Sequence, residues 1–371
     1  MIIETTEIEV EATTPLRTAL ELLEAAPAKI ILVLDSDRTL VGTVTDGDFR
    51  RAILRGDNMD GYVLDIANRK PVSVHEDLNK GKLKSLIRER NVRYIPVVDE
   101  AGRLTGLYDG STKPSSDELK VPIVLMAGGL GRRLMPLTAD CPKPLLPLAD
   151  KPILEHIIVK FRDQGYKRFY ISINYLGHMI EDYFGTGENW GVEISYLREN
   201  KRLGTGGALD LLPNNMAFPF LVMNGDLITE MDFADVVRNH IEAGAAATMC
   251  VREYMTSLPF GVVKFHGNTY LDVEEKPTYT HHINAGIYCL SKDALENIPS
   301  GEFYDMPTLF EDLTTKQHPC GVHVMRDSWI DIGNPREYES AQSRFRAKAE
   351  ADAKAKAAEK KENKPYGVFF I

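Results

Sequence analysis

No two cysteines in this 371-residue chain are spaced as CxxC. Cys141, Cys250, Cys289 and Cys320 stand singly, so neither a zinc site nor a dithiol redox motif is legible. Reduced thiols in a cytosolic setting are the simplest reading. The chain also lacks a basic excess. Its formal net charge is −10, which disfavours nucleic acid as the main partner but leaves room for small anionic ligands held by local cations. No apolar run approaches the ~18 residues of a membrane span. The opening stretch, MIIETTEIEVEATT, is acidic and lacks the charged-then-apolar order of an export signal. A cytoplasmic protein with no membrane partner is expected.

What is present suits two domains rather than one at this length. The first third repeats itself. Lys29 to Leu34 is a β-branched apolar run followed by Asp35-Ser36-Asp37 and then Leu40-Val41-Gly42-Thr43-Val44. Tyr94 to Val98 is a similar run followed by Asp99-Glu100-Ala101-Gly102 and then Leu104-Thr105-Gly106-Leu107. Each half reads as strand, acidic turn, strand. Helical patterns precede both halves, marked by Leu16, Ala19, Leu20 and Leu23, and by Leu83, Leu86 and Ile87. The period is roughly 60 to 65 residues, a pair rather than an array.

This duplication, with GTVTDGDFRRAIL at Gly42 to Leu54, resembles a tandem cystathionine-β-synthase-type (CBS) domain pair. Such pairs bind adenosine derivatives, and the resemblance makes Thr45 and Asp48 the ribose-holding residues of a regulatory adenine-nucleotide site. The second repeat departs from that spacing after Gly106-Leu107, so at most one intact site is expected. A pair that only dimerises or docks is the alternative. A homo-oligomer is expected, because CBS pairs associate. The expected boundaries are a regulatory pair over 1–113, a polar linker over 114–120, a second domain over 121–342, and a charged helical tail with an apolar end over 343–371.

From Val121 onward, short apolar strands alternate with amphipathic helices, which argues an open, mostly parallel sheet covered on both faces. Ligands of such sheets bind beyond the carboxyl ends of the strands. The first strand ends in LMAGGLGRRLMPLT, Leu125 to Thr138, with PKPL at Pro142 to Leu145. Glycines let a backbone approach phosphate closely, and Arg133 and Lys143 add positive charge. Four further segments follow: LGTGGA at Leu203 to Ala208, FLVMNGD at Phe220 to Asp226, VEEKP with INAGIY at Val273 to Tyr288, and WIDIG at Trp329 to Gly333. A terminal Asp on an apolar strand is a hard oxygen ligand suited to Mg²⁺.

Together and in this order, these segments resemble the sugar-1-phosphate nucleotidyltransferases, whose catalytic domain is Rossmann-like (GT-A-like) α/β. The resemblance covers about Val121 to Gln342. It implies a reaction in which a sugar 1-phosphate attacks the α-phosphorus of a nucleoside triphosphate and pyrophosphate leaves. The roles it implies are catalytic for Arg133, Lys143 and Asp226. They are nucleotide-binding for Ala127, Gly128, Gly129, Gly131, Gly204, Thr205, Gly206 and Gly207, and sugar-phosphate-binding for Glu275, Lys276, Asn284 and Gly286. Asp226 and Asp331 would share the Mg²⁺. The CBS-plus-transferase order is similar to the glucosamine-1-phosphate guanylyltransferases of legionaminic acid biosynthesis, which implies GTP and glucosamine 1-phosphate. Mannose-1-phosphate guanylyltransferases and enzymes using dTTP, UTP or CTP share most of the motifs. A nucleotide sensor that kept the fold and lost catalysis is the alternative of another class.

Overall fold

The computed structural model describes residues 2–26, 28–75, 92–110 and 118–347, together with Leu83 and Leu86. Ile87, residues 114–117 of the expected linker and residues 348–371 of the expected tail lie outside the described residues. The chain divides into two compact units, Met1–Lys113 with Met255–Tyr279, and Pro114–Tyr254 with Thr280–Ile371.

In the first unit the duplication is structural down to its irregularities. Glu9–Glu11 runs parallel to Ile30–Leu34, which pairs antiparallel with Leu40–Thr45. Val74–His75, Tyr94–Val98 and Leu104–Asp109 repeat that arrangement. The register slips between Val33 and Leu34 in the first hairpin and between Val97 and Val98 in the second. Each hairpin turn is built by an aspartate that accepts nearby backbone N–H groups, the local device that makes Asp a turn residue. Asp35 Oδ1 accepts from Asp37 at 2.9 Å and Thr39 at 2.8 Å; Asp99 Oδ1 accepts from Ala101 at 2.9 Å and Arg103 at 2.8 Å. The two turns then pair with each other. The N–H of Leu40 donates to the Gly102 carbonyl at 3.1 Å and that of Leu104 to the Arg38 carbonyl at 3.0 Å.

Helix Asp46–Arg55 follows the first hairpin, opens on a capping box and closes at Gly56 with φ of 77°. The residues Met255–Tyr279 contain a third hairpin, Val262–His266 against Thr269–Glu274.

The second unit is a seven-stranded sheet. Its order is Glu193–Arg198, Arg168–Ile173, Ile123–Met126, Phe220–Asn224, Thr278–Leu290, Ala247–Ser257, Cys320–Met325. The first four strands are mutually parallel, and Thr278–Leu290 runs antiparallel to Phe220–Asn224. The central strands Ile123–Met126 and Phe220–Asn224 are buried on both faces, which is why they read as continuous apolar runs. Ile123, Leu125, Leu221 and Met223 face a core shared with helices Ile153–Asp163, Gly177–Phe184 and Phe233–Ala243. Val124, Phe220 and Val222 face a core shared with helix Met306–Thr315. Successive strands move outward on one side of Ile123–Met126, and then the chain returns to place Phe220–Asn224 on its other side. That reversal is the topological switch point, where open α/β sheets hold ligands.

His240, on helix Phe233–Ala243, is buried between two hydroxyls at 2.8 Å, Thr248 Oγ1 on Nδ1 and Ser291 Oγ on Nε2. Ser291 donates its own proton to the Ala245 carbonyl, so the hydroxyl accepts from Nε2–H and Nδ1 is the acceptor from Thr248. Burial pulls the imidazole pKa down to about 4 from 6.5. The unfolded chain therefore takes up this proton first as the pH falls. The stability tied to neutral His240 is complete above pH 6.5 and declines through about pH 4, by roughly 3 kcal/mol in all. In urea titrations from pH 8 to pH 4, His240→Gln is expected to show a flatter acid limb than the wild type. An unchanged slope would mean His240 is not the titrating group.

Candidate active site

Strand Ile123–Met126 delivers the glycine turn to the switch point, and the neighbouring strand Phe220–Asn224 delivers Gly225-Asp226 beside it. The N–H of Gly225 donates to the Met126 carbonyl at 2.9 Å. A Cβ on Gly225 would stand 2.9 Å from that oxygen, so only glycine lets the two strand ends approach this closely. Asp226 then opens a two-stranded ribbon, Leu227–Thr229 against Trp329–Asp331, in which Leu227 pairs with Asp331. The N–H of Ile332 donates to the Asp226 carbonyl at 3.0 Å. Two aspartates far apart in sequence are thereby fixed side by side.

The charges around them are ordered. Lys143, in the short 3₁₀ turn Lys143–Leu145, bonds Asp226 Oδ2 through Nζ, with only 11% of its side chain exposed. Burial raises the pKa of Asp331, and the charges of Asp226 and then Glu337 push it the same way; Lys143 and Arg133 pull it down. The arrangement is two carboxylates and two cations in a half-buried place, with Glu337 accepting from the Gly333 N–H at 3.1 Å.

The ribbon is anchored by Trp329, whose indole N–H donates to the Ala285 carbonyl at 2.9 Å. The Arg252 guanidinium sits 5.4 Å over the same ring and donates to the Trp329 carbonyl at 2.8 Å. Ala285 lies within INAGIY. There Asn284 Oδ1 accepts from Gly286 N–H at 2.9 Å, and Asn284 Nδ2 donates to the Tyr288 hydroxyl at 2.7 Å. Gly286 takes φ of 70°, and a Cβ there would meet Asn224 Nδ2 at 2.7 Å.

In the glycine turn, Ala127 is buried and its N–H donates to the Ser172 carbonyl at 2.9 Å. Gly128 faces Glu199, and Gly129 has open space where a Cβ would be. Gly131, at φ of 63°, packs on buried Thr138, which donates to the Gly131 carbonyl at 2.9 Å. Arg133 lies exposed in the 3₁₀ turn Arg132–Leu134.

The LGTGGA loop spends its polar groups within the chain. Gly206 and Gly207 donate to the Tyr304 carbonyl at 2.9 and 2.8 Å, and Thr205 N–H to Asp305 Oδ1 at 2.9 Å. A Cβ on Gly204 or Gly207 would strike the Tyr304 or Glu302 carbonyl, at 2.6 and 2.5 Å. Glycine is required there by the segment Glu302 to Asp305.

The remaining expected site residues belong to the other unit. Glu275 lies against Gly261, where a Cβ would meet Oε2 at 2.8 Å, and Lys276 takes φ of 45°. Thr45 and Asp48 form the capping box of Asp46–Arg55. Asp48 Oδ2 accepts from the Thr45 N–H at 2.8 Å and hydroxyl at 2.7 Å, and Oδ1 bonds Arg51. The spacing of that pair is thus also what a helix start demands.

Sequence reasoning assigned no role to Glu199, Asp305, Glu337 or Asn224. The amide oxygen of Asn224, next to Gly225-Asp226, is buried without a hydrogen-bond partner. No grouping of three or more His, Cys, Asp or Glu able to hold a metal occurs among the described residues. No helix among them is long and apolar enough to cross a membrane.

An open, mostly parallel sheet with a glycine turn, paired carboxylates and cations at its switch point is the α/β arrangement that holds ligands beyond its strand ends. Residues 122–348 match the nucleotidyl transferase family model, and the chain belongs to that family. Residues 3–55 and 63–109 match the CBS domain model, which places a CBS pair ahead of it. The chain is 32% identical over 238 residues to the UTP–glucose-1-phosphate uridylyltransferase of Synechocystis sp., covering 59% of this chain and 61% of that protein. It is 31% identical over 222 residues to the mannose-1-phosphate guanylyltransferase catalytic subunit beta of Drosophila melanogaster, covering 58% and 60%. The chain thus spans about three fifths of the length of these curated relatives. The crystal structure of HddC from Yersinia pseudotuberculosis with GMP-PN superposes with a TM-score of 0.49 at 27% identity, covering 61% of this chain and 99% of that one.

A raised carboxylate pKa in the folded state means that ionising Asp331 opposes folding. That penalty is complete above the folded pKa and vanishes as the pH falls to the unfolded value near 3.8. Asp331→Asn is therefore expected to unfold at a higher temperature than wild type at pH 7 in metal-free buffer. The gap should narrow as the pH is lowered toward 4, and scanning calorimetry at several pH values measures it. A variant less stable at pH 7 would show that the Asp331 charge is not the burden.

Proposed function

We propose that the protein is a sugar-1-phosphate nucleotidyltransferase, forming a nucleotide sugar and pyrophosphate from a nucleoside triphosphate and a sugar 1-phosphate. The observation that carries this reading is the convergence of Asp226, Asp331, Lys143 and Arg133 beside the glycine turn at the sheet's switch point. The attacking group is already an anionic phosphate oxygen, so no activating base is needed. What the site must do is hold two polyanions together and offset charge.

Lys143 and Arg133 supply that charge in this reading, Lys143 at the reacting phosphate and Arg133 on the departing pyrophosphate. Gly129 leaves the turn's backbone open to phosphate oxygens. The acidic pair fits Mg²⁺. Two carboxylates side by side in a half-buried place call for a cation, and Mg²⁺ takes one or two carboxylates and completes its shell from phosphates and water. Asp226 and Asp331 would hold it, and when bound it would polarise the phosphoryl oxygens as a Lewis acid. Asn284 and Gly286 are assigned to the sugar, as are Glu275 and Lys276 from the family resemblance.

Among substrates, GTP with glucosamine 1-phosphate is the proposed pair. Mannose 1-phosphate and the uridylyl, thymidylyl and cytidylyl reactions are the competitors, and the relatives' names include both uridylyl and guanylyl transfer. Adenine nucleotide is the proposed ligand of the CBS pair at Thr45 and Asp48. A homo-oligomer joined through exposed Leu20, Ile53, Leu54 and Tyr62 of that pair is proposed as the working form.

A matrix of triphosphates against sugar 1-phosphates, read by pyrophosphate release, tests the reaction and its substrates together. Asp226→Asn, Lys143→Ala and Arg133→Ala are each expected to lower turnover by about 100-fold or more, with unfolding curves still cooperative. Near-normal turnover in Asp226→Asn would remove its metal role. Calorimetry of the full chain with AMP and ATP, repeated on Asp48→Ala, is expected to give heat that the variant loses. No heat with either nucleotide would reduce the pair to a scaffold.

A further inference from the structure

The hairpin Val262–His266 with Thr269–Glu274 forms a two-stranded sheet by itself among the described residues. Residues that pair across an antiparallel hairpin share a face, and neighbours along a strand alternate between faces. Val263 pairs with Val273, and Phe265, two residues on, pairs with Tyr270, so these four side chains share one face. Lys264 pairs with Asp272 and Val262 with Glu274, which puts the charges on the other face. The ion pairs agree: Lys264 Nζ lies 3.7 Å from Asp272 Oδ2 and 3.7 Å from Glu274 Oε2. Leu271 is the unpaired residue at the register shift, and this extra residue hides the two-faced pattern from the sequence.

The apolar face is open to water. Phe265 is 69% exposed and Tyr270 62%, and Val263 and Val273 are exposed beside them, as are Leu271 and, just before the first strand, Phe260. A two-stranded hairpin is marginal alone in water; a third strand or a covered apolar face is what makes one stable. These six side chains leave on the order of 600 Å² of apolar surface uncovered, as large as the largest patch of an ordinary monomer. The four paired residues carry no charge, so a second copy can meet the face without burying an ion, although the chain as a whole stands at −10. Two such faces together would remove about 1,200 Å² from water, which reaches the range of specific interfaces between proteins.

We propose that this face is an interface between two copies of the chain, hairpin packed on hairpin about a two-fold axis. It uses residues other than those of the CBS surface named above. Association also bears on the sugar-phosphate residues, a step that rests on the transferase reading. The second strand of the hairpin runs directly into Glu275-Lys276, and Glu275 closes against Gly261 at the foot of the first strand. Fixing the hairpin fixes those two side chains before the ligand arrives, so the associated chain binds sugar phosphate more tightly than the separated one.

Sedimentation equilibrium of the full chain reads the association directly. Phe265→Glu combined with Tyr270→Glu is expected to halve the mass of the assembly at micromolar concentration, while Lys264→Ser on the ion-paired face leaves the mass unchanged. Phe265 and Tyr270 are exposed, so the unfolding curve of the double variant should stay cooperative. In a chain carrying Cys320→Ser, Tyr270→Cys should join two copies through a short bismaleimide, and Asp272→Cys should not. The KM for the sugar 1-phosphate should rise about fivefold or more in the double variant and stay put in Lys264→Ser. An unchanged mass in the double variant, or equal crosslinking from both faces, overturns the interface. A wild-type chain that sediments as a monomer at high micromolar concentration also overturns it and leaves the face to a different partner. A halved mass with an unchanged KM overturns the link to Glu275 and Lys276. If no pair of substrates releases pyrophosphate, it is the transferase reading that fails, and sedimentation and crosslinking still decide the interface.

Discussion

The constraint on which the site depends is the placement of two carboxylates side by side in a partly buried position. Asp226 and Asp331 repel, and burial adds to the cost of charging Asp331. Nothing in a protein core would assemble such a pair for stability alone. It is maintained by backbone, through the Leu227–Asp331 pairing and the Ile332 to Asp226 hydrogen bond, and it is partly neutralised by Lys143. The Trp329 anchor, gripped by Ala285 and Arg252, then keeps the short ribbon from relaxing. Stability is given up locally so that positive charge is drawn to one place.

The glycines divide by what they make room for. Gly225 lets one strand end approach the carbonyl of another, and Gly286 makes room for Asn224. Gly128 makes room for a carboxylate, and the LGTGGA glycines for the Glu302 to Asp305 segment. Within the glycine turn, Gly129 opens onto unfilled space. Much of the glycine pattern therefore records how closely the domain packs around its own site, and a smaller part records access for a ligand. A glycine-rich motif read from sequence merges these two demands, because each asks only for the absence of a side chain.

The same distinction explains what sequence reasoning could reach. The central strands were legible because burial on both faces leaves an apolar run, as in Phe220 to Asn224. The amphipathic helices were legible from the spacing of their apolar residues, as in Ile153–Asp163. The ribbon of Leu227–Thr229 and Trp329–Asp331 is too short to carry a period, so the meeting of the aspartates rested on family resemblance. The hairpin Val262–His266 with Thr269–Glu274 is exposed on both sides and shows no alternation. Glu199 looked like one more charge after a strand. Its signal is its proximity to Gly128, which exists only once the fold is formed.

The CBS pair shows how scaffold and ligand demands separate over a duplication. An offset of 64 residues carries Val33 to Val97, Gly42 to Gly106 and Asp35 to Asp99, with the register slip preserved. Both turn aspartates are present because each folds its own hairpin, and the two turns need each other: Leu40 reaches Gly102 and Leu104 reaches Arg38. Losing either turn would leave the other's backbone groups unpaired. The capping pair has no such reciprocity. Thr45 and Asp48 start one helix only, and the positions at the same offset hold Asp109 and Thr112, the two residue types in reverse order. Where one half of a duplicated structure completes the hydrogen bonds of the other, both copies are constrained together; where a residue serves its own half, the copies can diverge. An adenine-nucleotide site that depends on the Thr45 and Asp48 pattern falls in the second class. One Thr-Asp pattern per pair is then compatible with two repeats that both fold.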